Sequence, residues 1–112
     1  MVIIAFAPKS SKLLPNIFCK HFRHCAVLFR NKNKFIMLQF VSRKHVEQIE
    51  LQKRDIGILA AHGWRFIYLP CDIPHEFNPN TAWSCVNMAK HAIKMKSVTI
   101  QTPYALYKKL NG

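Results

Sequence analysis

The first two-thirds of the chain carry short apolar runs separated by polar segments, a pattern typical of β-strands. Val2–Phe6 is apolar and is soon followed by Pro8, which predicts a short buried strand. Two β-prone segments, His24–Arg30 and Phe35–Val41, flank the polar residues Asn31–Lys34. This arrangement predicts an antiparallel β-hairpin with its turn at the polar residues.

Shorter signals occur elsewhere along the chain. They predict a helical turn at 11–14, further strands at 46–51, 64–69 and 98–100, and a proline-rich loop at 71–80. Residues 53–62 follow a helical pattern that Gly63 ends. Thr102 and Pro103 form a favourable N-cap and first-turn pair for a helix that continues through Leu110.

A further helix, predicted from about Thr81 to about Met95, has two distinct faces. Its apolar positions recur with the helical period, at Cys85, Met88, Ala89, Ala92 and Ile93. The positions predicted to face solvent are Asn87, Lys90, His91 and Lys94. Together these elements predict an α+β domain in which a small antiparallel sheet packs with helices, and residues 1–112 are expected to form one domain.

Composition narrows the class of protein. Half of the 112 residues are hydrophobic, which excludes an intrinsically disordered chain, and no apolar run approaches the length of a membrane span. The net charge is +12, and all acidic residues lie between Glu47 and Glu76. Such a charge favours anionic partners, namely nucleic acid, acidic lipid or an acidic protein surface. It is equally expected of a basic protein whose charge serves only solubility.

The N-terminal residues lack the basic segment and the long apolar core of a secretory signal. We therefore expect synthesis in the cytoplasm and reduced thiols at the cysteines, which stand at positions 19, 25, 71 and 85.

Cys85 is the first candidate for chemistry, because it lies about one turn inside the helix predicted from Thr81. Free N–H groups in the first turn of a helix and the helix dipole stabilise a thiolate and can bind an oxyanion. The alternative is a small cysteine buried on the apolar helix face.

His24 is the second candidate, at the start of the predicted hairpin. If the two strands pair about the centre of the Asn31–Lys34 turn, His24 is opposite Val41, and Gln39 lies one diagonal step away on the same face. A carboxamide at Gln39 could then orient the imidazole. The alternative is a histidine that merely ends a strand, with Gln39 in solvent.

Two clusters overlap the hairpin. Four possible metal ligands fall within seven residues, namely Cys19, His21, His24 and Cys25. However, no second pair of ligands follows in the sequence, and the neighbouring basic side chains repel a metal cation. We therefore expect neither a metal nor a cofactor. Basic residues interleave with aromatics, a composition that can hold single-stranded nucleic acid or can form an ordinary amphipathic hairpin. The residues of this basic–aromatic cluster are Phe18, Lys20, Phe22, Arg23, Phe29, Arg30, Lys32, Lys34, Phe35, Arg43 and Lys44.

A resemblance joins the two candidates. A histidine opens a strand (His24-Cys25-Ala26-Val27), Gln39 lies in the next strand, and Trp83-Ser84-Cys85-Val86 opens a helix that leads to a Thr-Pro segment at 102–103. This order resembles that of the circularly permuted NlpC/P60 group of papain-like cysteine hydrolases. The resemblance extends from about residue 22 to about residue 110. The chain also resembles small bacteriophage proteins of that kind. The resemblance implies a permuted papain-like fold and a thiol hydrolase or acyltransferase acting on an amide, ester or thioester bond.

In that case Cys85 matches the nucleophile, His24 the base, with His21 as a rival for that role, and Gln39 the third polar residue. The Cys85 N–H then contributes to the oxyanion hole. The competing hypothesis is a non-catalytic basic binding protein on the same fold. Such a protein would associate with nucleic acid, with an acidic protein surface or with a larger assembly such as a virion, in the host cytoplasm or in the particle.

Overall fold

The computed structural model describes residues 1–8, 22–42, 45–97 and 99–111 of the chain. Five strands form one antiparallel sheet with the order β4-β3-β2-β1-β5. The strands are β1 (Val2–Pro8), β2 (Phe22–Asn31), β3 (Lys34–Ser42), β4 (His45–Leu51) and β5 (Arg65–Leu69). The helices are α1 (Lys53–Ala61), α2 (Cys85–Ala92) and α3 (Pro103–Asn111), with a short 3-10 helix at Pro79–Thr81. The α+β class with a small antiparallel sheet is thus confirmed, while the permuted papain-like arrangement stays a prediction.

The predicted hairpin is present with the predicted register. Strands β2 and β3 pair from Asn31–Lys34 at the turn to Val27–Leu38. Lys32 turns the chain with a φ of 59°. At the end of α1, Gly63 has a φ of 97°, a backbone conformation that costs glycine little, so the predicted helix stop is confirmed.

The helix predicted from Thr81 to Met95 is shorter than expected. Residues 79–81 form a separate 3-10 helix, and α2 begins only at Cys85. The Ser84 side chain caps α2, since its Oγ accepts a hydrogen bond from the Asn87 N–H at 3.0 Å. Residues 99 and 100, predicted to end a strand, lie in irregular structure. The helical turn predicted at 11–14 and Val98 lie outside the described residues.

Both faces of the central strands are buried. On one face α2 and α3 cover alternate residues of the central strands, among them Phe6, Cys25 and Val27, which are fully buried. On the other face Ile56 of α1 packs on a second cluster that includes Leu28. Strand alternation therefore assigns odd-numbered residues of β2 to the face covered by α2.

Candidate functional site

Cys85 is the first residue of α2, and it packs against the core on the face of the sheet that α2 covers. It shares this orientation with Met88, Ala89 and Ala92, which are completely buried at helical spacing. The side chain is partly exposed, whereas those neighbours are not. Cys85 was expected about one turn inside the helix, but it lies in the first turn itself. The backbone N–H groups of this turn have no acceptor within the helix.

His24 reaches the same place from the central strand β2. By strict alternation its side chain belongs on the face opposite to Cys25. The pairing of β1 with β2 is irregular at this point, because Ala7 pairs with His24 but Pro8 pairs with Phe22. Irregularities of this kind re-aim side chains. His24 lies close enough to Cys85 for its ring to lower the pKa of that thiol, so the structure brings together the two residues that sequence reasoning selected.

Cys25, the neighbour of His24, is the second partner of Cys85. Recorded pairing between β2 and β3 ends at Val27–Leu38, while β3 continues beside β4 to the pair Ser42–His45. Cys25 therefore lies beyond the end of this ladder. Its side chain and its backbone N–H both stabilise the Cys85 thiolate and so lower the pKa of that thiol.

These contacts set the ionisation of the thiol pair. The pKa of Cys85 is lowered to about 5, chiefly because the Cys25 side chain donates to its thiolate, helped by His24 and by the Cys25 N–H and opposed by burial. The pKa of Cys25 is raised well above its ordinary value by the same hydrogen bond, by burial and by the charge on Cys85. Cys25 is 0% exposed, so Cys85, at the helix terminus, is the thiol that ionises.

The surroundings of His24 differ from the expected triad. Nε2 of His24 is buried and has no hydrogen-bond partner in the described part of the chain. Gln39 pairs with Glu47 of β4, and the hydrogen bond recorded for its side chain runs from Nε2 to the Met37 sulfur at 3.9 Å. An orienting role for Gln39 stays a prediction.

The other candidates occupy less informative places. Cys19 and His21 lie outside the described residues, and those that are described contain no group of three potential metal ligands. In the basic–aromatic hairpin, Phe29 and Phe35 pack against the core, while Lys34 forms an ion pair with Glu50 at 2.6 Å. The structure does not describe the remaining members of this cluster in full: residues 18, 20, 43 and 44 lie outside the described residues, as do the side chains of residues 22 and 23.

Sequence reasoning missed Cys25 as a partner of Cys85 and considered it only as a metal ligand. The signal was present, because Cys25 and Val27 occupy the same face of the strand and Cys85 lies on the apolar face of its helix. Two residues predicted to face solvent are also corrected: Asn87 and Lys90 are only 4% and 5% exposed.

Comparison with protein-family models, with curated proteins and with solved structures gives no match. Within the described residues, no helix is long and apolar enough to cross a membrane.

Proposed function

We propose that the protein is a thiol hydrolase or acyltransferase acting on an amide, ester or thioester bond, with Cys85 as the nucleophile and His24 as the base. The observation that carries this proposal is the position of Cys85 at the first turn of α2, near the His24 ring that helps to lower the pKa of its thiol. A cysteine nucleophile needs a histidine within hydrogen-bond reach, and the nearness of His24 to Cys85 supports that role.

The thiolate is the reactive form, and the low pKa of Cys85 keeps it populated at neutral pH. In the first step the sulfur attacks the acyl carbon and forms a C–S bond. The developing oxyanion is stabilised by N–H groups of the first turn of α2, beginning with that of Cys85. His24 gives a proton to the leaving group as the scissile bond breaks.

In the second step water attacks the acyl-enzyme carbon, His24 takes the proton, and the thiolate leaves. An alcohol or amine in place of water gives acyl transfer by the same route. Nε2 of His24 is buried without a partner in the described structure. Buried polar atoms without a hydrogen-bond partner are uncommon in proteins. Proton transfer to and from the substrate would explain why this nitrogen lacks one.

The test is acylation by p-nitrophenyl acetate, followed by p-nitrophenolate release and by mass mapping of the acetylated residue. Acetylation is expected at Cys85, with a burst that Cys85→Ala abolishes. His24→Gln is expected to slow the reaction by about a hundredfold or more. Cys71→Ala is the matched control, because Cys71 is an exposed free thiol. Acetylation of Cys71 as fast as that of Cys85, or an unchanged rate in His24→Gln, would refute the proposal.

A further inference from the structure

A cleft of about 680 Å³ lies on the side of α2 that faces away from the thiol pair. Its lining includes Asn87, Lys90 and His91 of α2 but not Cys85. Trp83, just before the helix, lines it with a side chain that is 61% exposed. An exposed indole at the edge of a cleft offers a large aromatic surface for contact with a ligand.

Asn87 holds the aromatic part of the cleft in place. Its Oδ1 accepts a hydrogen bond from the Trp83 N–H at 3.4 Å, and its Nδ2 lies 3.5 Å from Nε2 of His91. The Trp83 and His91 rings meet edge to face, with centroids 6.5 Å apart. Because Asn87 is buried, it holds the Trp83 backbone and the His91 side chain from inside the protein, and the His91 ring contacts the indole.

Lys90 organises the opposite wall. Its Nζ donates to the carbonyl oxygens of Ser97 and Ile100, both at 2.8 Å. A buried ammonium is costly unless it is hydrogen-bonded, and these bonds tie the irregular segment after α2 to the helix. Both buried polar side chains of α2 therefore support the shape of the cleft.

The basic side chains of the cleft favour an anionic ligand. Lys94 and Lys96 line the cleft with exposed side chains, and among the described residues of the lining Glu76 is the single carboxylate. An exposed indole stacks on any nucleobase, and lysines beside it neutralise phosphate. We propose that this cleft binds a nucleotide unit, with its base on Trp83 and its phosphate near Lys94 and Lys96. The unit is either a free nucleotide or one residue of a single strand.

The test measures fluorescence anisotropy of a short labelled oligothymidylate, with thymidine monophosphate as competitor. Trp83→Ala is expected to weaken binding by about tenfold or more, the effect of losing one stacked base. Trp83→Phe is expected to retain most of the affinity. Tyr68→Ala is the matched control, since Tyr68 is 56% exposed on β5 and does not line the cleft. Equal affinities for Trp83→Ala and Tyr68→Ala would overturn the proposal.

A second pair of variants distinguishes binding in the cleft from non-specific binding to the basic surface. Lys94 and Lys32 are both exposed and both have left-handed backbone, with φ of 57° and 59°. Lys94→Gln is expected to weaken binding more than Lys32→Gln and to reduce the salt slope by about one. Equal effects would overturn the proposal, and so would equal binding of an abasic strand.

Efficient competition by thymidine monophosphate would identify a nucleotide site, and competition by oligomers alone would identify a strand site. Cys85→Ala is expected to bind like the unmodified protein, so this result is separate from the catalytic proposal.

Discussion

At the scale of single residues, the thiol pair shows how one buried cysteine can activate another. Cys25 is fully buried and its pKa is raised by burial and by Cys85, so it keeps the S–H that stabilises the Cys85 thiolate. The same residue supplies a backbone N–H to that sulfur. His24 therefore shares the stabilisation of the thiolate with a neighbour that never needs to ionise. This makes Cys25 a positioning residue, because it acts on the substrate only through Cys85.

The pH profile of alkylation tests this role. Cys85 is expected to react with iodoacetamide down to about pH 5 and to lose reactivity below it, because falling pH protonates the thiolate. In Cys25→Ala the midpoint is expected to move upward toward the ordinary value near 8.5, since the main donor is gone. Cys25→Ser restores a donor and is expected to move it back.

Peptide mass spectrometry reads each cysteine separately, and circular dichroism checks that the variants fold. Cys71→Ala serves as the control and should leave the Cys85 profile unchanged. An identical midpoint in Cys25→Ala and in the unmodified protein would contradict the assignment of Cys25.

At the scale of elements, the start of α2 decides where the nucleophile lies. Ser84 caps the helix through the Asn87 N–H, so Cys85 occupies its first position. Thr102 caps α3 in the same way, since its Oγ1 accepts from the Ala105 N–H at 3.1 Å. The two caps are chemically alike, but only one of them adjoins a reactive thiol.

This pair provides a matched test. Ser84→Ala and Thr102→Ala are each expected to lower the free energy of unfolding by about 1 kcal/mol, the usual cost of losing an N-cap, as urea denaturation would show. Only Ser84→Ala is expected to slow the alkylation of Cys85 at pH 6, because fraying of the first turn loosens the thiolate from its donors. A similar slowing in Thr102→Ala would mean that reactivity follows overall stability instead.

The elements also show where sequence patterns suffice. The hairpin register followed from a local turn signal, and the Thr102 cap from a local pair of residues; both are present. The prediction that Asn87 and Lys90 of α2 face solvent was wrong. Both side chains make hydrogen bonds with irregular segments, whose positions no sequence periodicity predicts. His24 lies near Cys85 at a strand irregularity, and no local sequence pattern indicates such an irregularity.

At the scale of the whole molecule, charge is unevenly distributed. The chain carries 17 basic and 5 acidic side chains, and the acids are confined to residues 47–76. These residues span β4, α1, β5 and the following loop, so α2 and α3 hold no carboxylate side chain. Two ion pairs are recorded among the described residues, Met1 with Asp72 and Lys34 with Glu50. Both are solvent-exposed and contribute little to stability.

Self-repulsion among these charges predicts that salt stabilises the fold. The molecule measures 39 × 31 × 30 Å, so at about 0.01 M salt, where the Debye length is about 30 Å, nearly all basic groups repel one another. At about 0.15 M the Debye length falls to about 8 Å, and only near neighbours interact. We expect the urea midpoint to rise over this range. Lys32→Glu lowers the net charge by two next to Arg30 and Lys34, so its midpoint should rise less steeply. A midpoint that stays constant or falls with salt would show that the basic charges are already neutralised within the fold.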